Sequence, residues 1–497
     1  MKPASHWRGL ADTLPRPSGH FIDGAYVQAG GEAIEIIDPA HGSALSRTPD
    51  AGADIVDHAV GIASARFGEG IWSRCSPRAR GEVLWKLADL IEAEAERFAV
   101  LESLCAGKPI RDTVMGEIPQ AVAALRFFAE LPDKLRGETT ASDASVLHYV
   151  LRQPLGVVGA IVPWNFPINM AIWKAAPALA AGNSVVLKPA EQTPWTALLL
   201  AELFVRAGGP AGVFNVVLGR GDSAGQALAT DPRVAKIAFT GSTRVGRLIH
   251  FYVSQSTLKA VALECGGKSP QIVMDDVADM EAAVDAAVFG AFGNAGQVCN
   301  AGSRLILHEA IHDTFMERFS EKIRDIRMGD PFDPNVTMGP LISGAAQKRV
   351  LEMIRLGRQE GARLAAGGER ATELNGYFVA PTVFADADSS MAIAREEIFG
   401  PVVTVLRVSD AGDAVRVANA SCYGLAAAIW SRDLDAVHRM AAAIEAGVVW
   451  VNCFDAGGMT QPFGGWKESG KGWDKGVDAL MSYTQPKSVW IALGARP

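Results

Sequence analysis

Residues 155–188, LGVVGAIVPWNFPINMAIWKAAPALAAGNSVVLK, contain the pattern that decides the fold. An apolar run, Gly156–Val162, is followed by a longer Ala-rich segment and then by a second apolar run, Ser184–Leu187. Similar runs recur at roughly 25-residue spacing, namely at Val213–Leu218, Val234–Phe239 and Lys259–Leu263. Strands that alternate with helices in this way predict an α/β fold, in which helices cover a parallel sheet. Such sheets bind ligands at the carboxyl ends of their strands.

The second half of the chain repeats this alternation less regularly and predicts a second α/β unit. Its candidate strands are Gln271–Met274, Arg304–Leu307, Val402–Leu406, Leu425–Trp430 and Val448–Val451. Its candidate helices cover residues 279–292, 310–326, 345–359 and 433–446. Nearer the N-terminus, Asp23-Gly24 predicts a turn, and the apolar spacing over residues 82–104 predicts one amphipathic helix.

Two further stretches, Ser145–Gln153 and Ser482–Leu493, fit neither α/β unit. Both have the pattern of extended chain. They pair either with each other or with another subunit.

The composition is that of an ordinary globular protein, with 49% hydrophobic and 21% charged residues. A length of 497 residues predicts roughly two to four domains. The net charge of −8 and the lack of a Lys/Arg run argue against a nucleic-acid partner. The sequence has no secretory signal in residues 1–17 and no apolar run of about 18 residues, so no membrane span is expected. The six cysteines are scattered without metal-type spacing, which predicts reduced thiols in the cytoplasm and no metal site.

Residues 293–304, GNAGQVCNAGSR, place Cys299 among small and polar residues. Small residues let backbone amides approach a ligand closely, whereas a structural thiol is more often found among Val, Ile and Leu. Attack on a carbon centre needs the thiolate, which is scarce at pH 7 unless a base or a positive field assists. The stretch therefore indicates a nucleophile, with a plain loop thiol as the alternative.

Polar residues follow the predicted strands of the first unit. Asn165 lies in residues 163–167, PWNFP, where an amide could donate to a developing oxyanion or could simply cap a rigid turn. Lys188 and Glu191 end the next strand, where they either grip ribose hydroxyls or form a surface ion pair. Glu264, beside two glycines, is either a general base or a solvated loop acid.

Three other segments are candidates for cofactor binding. Residues 239–243, FTGST, close a strand and open a helix, so they suit a pyrophosphate or an ordinary helix cap. Residues 219–225, GRGDSAG, only loosely resemble a dinucleotide fingerprint, and a flexible turn is the simpler interpretation. In residues 397–401, EIFGP, Glu397 could hold a second ribose and Phe399 could pack against a flat ring.

Residues 308–312, HEAIH, match the zinc-protease pattern letter for letter. That motif needs both histidines on one helix face together with a third ligand. Here His308 is predicted to end a strand, and no further ligand set follows at suitable spacing. The segment is therefore interpreted as a strand-to-helix junction.

Taken together and in this order, these segments resemble the aldehyde dehydrogenase superfamily, from about the Asp23-Gly24 turn to about residue 490. The resemblance implies that the Cys299 thiolate attacks the aldehyde carbon, giving a thiohemiacetal whose oxyanion the Asn165 amide and the Cys299 N–H would hold. Hydride would then pass to the nicotinamide, and Glu264 would activate the water that hydrolyses the thioester to a carboxylic acid. Lys174 matches the family's relay lysine, with Asp474 as its acidic partner.

The resemblance also implies the cofactor-binding residues, which are Trp164, Lys188, Glu191, Gly221, Phe239, Gly241, Ser242, Val245, Glu397 and Phe399. NAD is expected because a carboxylate at Glu191 favours a free ribose hydroxyl over a 2′-phosphate, and NADP is the alternative. The implied architecture is a Rossmann-like cofactor domain (1–137 and 154–264), a second α/β catalytic domain (265–480) and a small β oligomerisation arm (138–153 and 481–497). The arm predicts a homodimer or a homotetramer.

The chain departs from the family pattern at three positions. Cys265 stands where the family usually has Leu, and Trp473 and Asp474 replace the usual Arg and Glu. The segment 452–463 resembles the branch that acts on aminoaldehydes, including γ-glutamylaminobutyraldehyde, with Gly457 and Gly458 leaving room in the pocket. Two other classes stay open on the sequence: cofactor-independent ester or thioester hydrolysis, and a non-catalytic binding role.

Overall fold

The computed structural model describes residues 1–494 and contains two large sheets. The first has eight strands in the order Ala25–Val27, His20–Ile22, Phe214–Val216, Ser184–Lys188, Val157–Ile161, Val234–Thr240, Ala260–Glu264 and Gly470–Lys471. The five strands from Phe214–Val216 to Ala260–Glu264 run parallel. The predicted α/β fold with a parallel sheet is therefore confirmed. Residues 495–497, the end of the predicted arm, lie outside the described residues.

The central strands of this sheet are buried along their whole length, as in Val157–Ile161 and Ser184–Lys188. Helices cover both faces of a parallel sheet, so its strands are continuous apolar runs rather than alternating ones. For this reason, the positions of these strands could be predicted from the apolar runs in the sequence. At one edge, His20–Ile22 and Ala25–Val27 form a hairpin whose turn is the predicted one, with positive φ at Asp23 and Gly24.

The second sheet has seven strands in the order Arg363–Ala366, Thr382–Ala385, Val402–Val408, Arg304–His308, Pro270–Val273, Ala426–Trp430 and Val448–Val451. All neighbours are parallel except the first pair. The first two strands were not predicted. Arg363–Ala366 is a half-exposed edge strand with no apolar run, and Thr382–Ala385 is only four residues long.

A third sheet joins the two stretches that fitted neither unit. Thr484–Ala492 pairs antiparallel with Val146–Pro154 over nine residues, and Glu138–Thr139 pairs with the other side of Val146–Pro154. Two small sheets complete the strands, Ala33–Ile37 with Ala44–Pro49 and Tyr423–Gly424 with Trp466–Lys467.

The helices pack on the faces of the two large sheets and enclose separate apolar cores. They are Ala4–Thr13, Gly52–Glu69, Pro77–Ala93, Ala95–Ala106, Ile110–Asp112, Ile118–Ala129, Pro167–Ala180, Trp195–Arg206, Gln226–Thr230, Thr243–Ser254, Met280–Phe292, His312–Arg324, Gly344–Gln359, Ala392–Arg395, Ala411–Asn419, Leu434–Ala443 and Gly476–Ser482. Short helical turns cover Thr113–Glu117, Pro132–Lys134, Gly221–Gly225 and Gly293–Gly296. Within residues 1–494, none of these helices has the length and apolar character needed to cross a membrane.

The single helix predicted over residues 82–104 is wrong, because the chain breaks at Glu94 into Pro77–Ala93 and Ala95–Ala106. The break turns the second helix into the core, where residues 98–106 are all buried. The Glu94 carboxylate accepts hydrogen bonds from Arg97 at 2.9 Å and Arg206 at 2.8 Å. No Gly or Pro marks the break, so the local sequence gave no sign of it.

Candidate active site

Cys299 is partly buried on the loop between the helical turn Gly293–Gly296 and the strand Arg304–His308. The loop begins in the left-handed region, with φ of 48° at Asn294 and 53° at Ala295. It packs closely on the segment that follows Glu264, because a Cβ added at Gly267 would lie 2.7 Å from the Cys299 carbonyl oxygen. Glycine at 267 therefore lets two backbones from different sheets approach each other at the thiol.

The Asn165 amide joins the cysteine loop to the first sheet. Its Nδ2 donates to the Gln297 carbonyl at 3.0 Å, and Asn294 Nδ2 donates to the Asn165 carbonyl at 3.2 Å. Gln297 is fixed in turn, since its Oε1 accepts from the Ile342 N–H at 2.9 Å. Asn165 is 4% exposed, so the predicted oxyanion donor is buried, and the residue that accepts its hydrogen bond, Gln297, lies two residues before Cys299 in the chain.

The surroundings of Cys299 do not supply the positive field that would free a thiolate. Burial raises the pKa of the thiol to about 12, and the charges of Glu397, Glu264 and Asp455 add to the effect. The Asn300 N–H and the Lys475 ammonium act in the opposite direction but do not offset the effect of burial. The thiol is therefore protonated at neutral pH until a base takes its proton.

Glu264 ends the strand Ala260–Glu264 and is 4% exposed. Neither carboxylate oxygen has a hydrogen-bond partner among residues 1–494. Burial holds its pKa well above the usual range, Asp474 raises it further, and Lys174 opposes both. An unpartnered buried carboxyl with a raised pKa is suited to accept and return a proton during a reaction.

Lys174 and Asp474 form a buried ion pair, with Nζ and Oδ2 2.6 Å apart and side chains 0% and 5% exposed. The helix Pro167–Ala180 carries the lysine. The aspartate is held by a reciprocal backbone pair with Phe463, at 2.6 and 2.7 Å. Although Asp474 is shorter than the Glu that is usual at this position, its carboxylate reaches the ammonium directly.

On the other side of the first sheet's carboxyl end lie Lys188 and Glu191. The Lys188 ammonium is 3.6 Å from the Glu191 carboxylate and donates to the Pro189 carbonyl at 2.9 Å. Burial lowers the pKa of Lys188, and Glu191 counters this. Glu191 stays 33% exposed, so its carboxylate faces an accessible space. Gly221 begins the helical turn Gly221–Gly225, whose Gly225 packs against the Lys188 side chain.

Ser242 caps the helix Thr243–Ser254, and its Oγ accepts from the Val245 N–H at 3.4 Å. The Gly241 N–H donates to the Glu264 carbonyl at 3.0 Å, and the Phe239 ring packs against Gly241. The helix N-terminus therefore lies next to the strand end that carries Glu264. Free N–H groups in its first turn favour an anion there.

Glu397 and Phe399 reach the site from the second unit. The Gly267 N–H donates to Glu397 Oε1 at 3.2 Å, and burial raises the pKa of this carboxyl to about 7. The backbone is strained at Phe399, where φ is 54°. This conformation sets the Phe399 ring edge-on to Trp164, with centroids 5.4 Å apart.

Two residues of the surroundings were not singled out by the sequence. Asp455 accepts from Asn300 Nδ2 at 2.9 Å, and Lys475 directs its ammonium at the rings of Trp173 and Phe463. The only feature of the sequence that could have pointed to Lys475 is its position directly after Asp474.

The departures at 265 and 473 do not disturb this arrangement. The Cys265 thiol is buried in an apolar cluster under Gly246, and burial raises its pKa to about 12. Trp473 is 36% exposed and covers Gly464. His308 ends a strand and His312 begins a helix, and no cluster of three or more metal-ligating side chains occurs among residues 1–494.

The fold and this site define an α/β enzyme in which a parallel sheet of the kind that binds dinucleotides lies next to a cysteine of the second α/β unit. The chain belongs to the aldehyde dehydrogenase family, whose model matches residues 26–489. It is 44% identical over 492 residues to the NADP/NAD-dependent aldehyde dehydrogenase PuuC of Escherichia coli, covering 99% of each. It is 44% identical to the aminoacetaldehyde dehydrogenase of Pseudomonas aeruginosa, covering 98% of each. The crystal structure of gamma-glutamyl-gamma-aminobutyraldehyde dehydrogenase from Burkholderia cenocepacia superimposes with a TM-score of 0.97 at 46% identity, covering 99% of this chain and 100% of that one.

Proposed function

We propose that Cys299 is the residue with which this NAD(P)-dependent aldehyde dehydrogenase attacks its substrate. The observation that carries the proposal is the junction at Gln297, whose carbonyl binds the Asn165 amide while the same loop presents Cys299. Glu264 is close enough for its charge to raise the pKa of the thiol. A nucleophile, a base and an amide donor thus meet where the two units join.

The proton balance assigns Glu264 to two steps. Because both its oxygens are free of partners, Glu264 can accept the Cys299 proton as the thiolate adds to the aldehyde carbon. Once that proton has passed to solvent, the same carboxylate can take a proton from the water that adds to the Cys299 thioester, and it can return this proton to the Cys299 sulfur as the carbon–sulfur bond breaks. Asn165 uses one N–H on Gln297, which leaves its second N–H for the oxyanion. Asp474 raises the pKa of Glu264 and Lys174 lowers it.

The residues around the strand ends fit NAD(P). Glu191 offers an accessible carboxylate beside Lys188, and the capped N-terminus of Thr243–Ser254 offers free N–H groups. Glu397 offers a second carboxylate near the thiol. The residues proposed to hold the cofactor are Trp164, Lys188, Glu191, Gly221, Phe239, Gly241, Ser242, Val245, Glu397 and Phe399. When bound, NAD(P)+ supplies the acceptor for the hydride of the Cys299 adduct.

The decisive experiment is Cys299→Ala. We expect loss of NAD-dependent aldehyde oxidation while NAD still quenches tryptophan fluorescence, because the cofactor residues lie on other segments. Turnover retained by the variant would contradict the role of Cys299, and loss of NAD binding would point to misfolding. The comparisons give no support to cofactor-independent hydrolysis or to a non-catalytic role.

The division of the chain stays as proposed from the sequence: 1–137 with 154–264 for the cofactor, 265–480 for catalysis, and an arm of 138–153 with 481–497. A homodimer or homotetramer is proposed for the arm. Its support is that the outer edge of Thr484–Ala492 is unpaired within residues 1–494, with Trp490 65% exposed and Leu147 44% exposed. A cytoplasmic location is proposed on the six free thiols.

The substrate that the resemblance implies is an aminoaldehyde. Two of the relatives above have such substrates in their names. These names support placing the chain in the aminoaldehyde branch of the family, but they do not identify the chemical group at the end of its substrate remote from the aldehyde.

A further inference from the structure

Lys475 has a backbone conformation that almost only glycine adopts, with φ 61° and ψ 175°. Its neighbours fix it there. Asp474 before it exchanges backbone hydrogen bonds with Phe463, and the Gly476 N–H after it donates to the Met459 carbonyl at 2.7 Å. Strain of this kind persists where the surrounding structure holds it, and such residues cluster at ligand sites.

The strained backbone directs the Lys475 side chain to an aromatic wall. Its ammonium lies 4.5 Å from the Trp173 ring centroid and 5.2 Å from that of Phe463. The two rings contact each other edge to face at 5.8 Å. The lysine is partly buried, so the rings replace much of the water around a full positive charge.

No protein group neutralises this charge by contact. Among residues 1–494, no carboxylate lies within ion-pair distance of the Lys475 ammonium and no acceptor binds it. The two acids that raise its pKa already have partners, since Asp474 pairs with Lys174 at 2.6 Å and Asp455 accepts from Asn300 at 2.9 Å. Burial lowers the pKa of Lys475, while Asp455, Cys299 and Asp474 raise it, which places the ammonium within electrostatic reach of the thiol.

We infer that Lys475 determines substrate specificity by binding a carboxylate at the end of the substrate remote from the aldehyde. A partly desolvated ammonium without an anion gains from an anionic partner, and charged hydrogen bonds are the strong ones. The aliphatic part of such a substrate would pack on Trp173 and Phe463, between Lys475 and Cys299. The inference rests on the proposed role of Cys299.

The same geometry disfavours a substrate whose remote end is only an amino group. A cationic end on this wall would lie against the Lys475 ammonium, and like charges in contact carry a penalty that a neutral end avoids. Asp455 accepts a hydrogen bond from Asn300 and does not contact the Lys475 ammonium, so its charge weakens this repulsion without removing it. The aldehyde is therefore expected to differ at its far end from a simple aminoaldehyde.

Three aldehydes with the same linker test the inference: 5-oxopentanoate, pentanal and 4-(trimethylammonio)butanal, which end in a carboxylate, a methyl group and a cation. We expect kcat/KM to fall in that order in the wild-type enzyme. In Lys475→Met, the ratio of kcat/KM for 5-oxopentanoate over pentanal should drop about tenfold or more, mainly through KM. Lys475→Glu should place the cationic aldehyde above the carboxylate. Lys471→Met removes an exposed lysine four residues earlier and should leave the ratio as in the wild type.

A ratio that is the same in the wild type and in Lys475→Met would overturn the inference and leave the proposed function intact, since both aldehydes would still be oxidised. Oxidation of pentanal by Cys299→Ala would instead overturn the proposed function. If Lys475→Met does not fold, Lys475→Gly suits the backbone conformation and should give the same drop. In the wild-type enzyme, glutarate should inhibit pentanal oxidation at lower concentration than pentanoate does, and equal inhibition would contradict the inference.

Discussion

The buried Lys174–Asp474 pair makes a quantitative prediction about stability. Lys174→Met removes the cation and leaves the Asp474 carboxylate 5% exposed with no counter-charge. Removing one partner of a buried pair destabilises by about 3–5 kcal/mol, most of it from the charge left behind. An unfolding entropy of about 2.1 cal/mol/K per residue amounts to about 1 kcal/mol/K for the 497 residues if they unfold together. We therefore expect Tm to fall by about 3–5 °C.

The assay is thermal unfolding of the wild type and variants at one protein concentration and one scan rate. Arg78→Met is the matched control, because Arg78 and Glu82 also form an ion pair, at 3.0 Å, but with side chains 84% and 66% exposed. An exposed pair contributes about 0–1 kcal/mol, so this control should shift Tm by less than about 1 °C. The double variant Lys174→Met/Asp474→Leu removes both charges and should recover most of the loss.

A Lys174→Met protein that melts within about 1 °C of the wild type would refute the predicted cost of the unpaired charge. A double variant that is less stable than the single one would refute it equally. The first result would mean that Asp474 is solvated or protonated without the lysine. The second would mean that the side chains matter through their packing and not through their charges.

Three further predictions concern the base, the cofactor and the arm. Glu264→Gln should slow release of the acid more than hydride transfer, which would be seen as a burst of NADH followed by slow turnover. Because the pKa of Glu264 is raised, the rate of acyl hydrolysis in the wild type should increase as the pH rises toward that pKa. Asp474→Asn should move the midpoint of this pH–rate curve to lower pH, because Asp474 raises the pKa of Glu264. A Glu264→Gln enzyme without a burst would argue against this role. Glu191→Gln should raise the ratio of kcat/KM with NADP to that with NAD about tenfold, and an unchanged ratio would exclude Glu191 from the ribose site. Trp490→Arg should reduce the mass measured by sedimentation, whereas an unchanged mass would place the subunit interface elsewhere.

The sequence predicted the parts of the fold in which one strand is buried on both faces. Val157–Ile161 and Ala426–Trp430 are short apolar runs that are buried along their whole length. The helix break at Glu94 and the edge strand Arg363–Ala366 depend on partners distant in the chain. Local periodicity does not contain that information, and these are the elements that were missed.

In the candidate site, too, some features could be predicted from the local sequence and others could not. Asn165, Lys188 and Glu264 could be proposed because parallel strands end at one edge of the sheet, so polar residues just after them must lie near each other. Their burial and pairing could not be derived. Nothing in the residues around Asn165 indicates that its amide binds the Gln297 carbonyl, and no sequence pattern predicts that both oxygens of Glu264 lack a partner.

The helix Pro167–Ala180 contacts the segment after Phe463, and this one contact places residues next to both the proposed base Glu264 and the proposed specificity residue Lys475. Lys174 and Asp474 meet on its buried side, next to Glu264, whereas their neighbours Trp173 and Lys475 meet on its partly exposed side. The two consecutive side chains of Asp474 and Lys475 thus reach opposite sides of the contact from one short segment. Substitutions at 475 can therefore alter which aldehyde is bound without moving the carboxylate of Asp474, provided that the replacement tolerates the strained backbone. This separation predicts that variants at 475 affect KM for charged aldehydes, while variants at 474 affect the pH dependence of turnover.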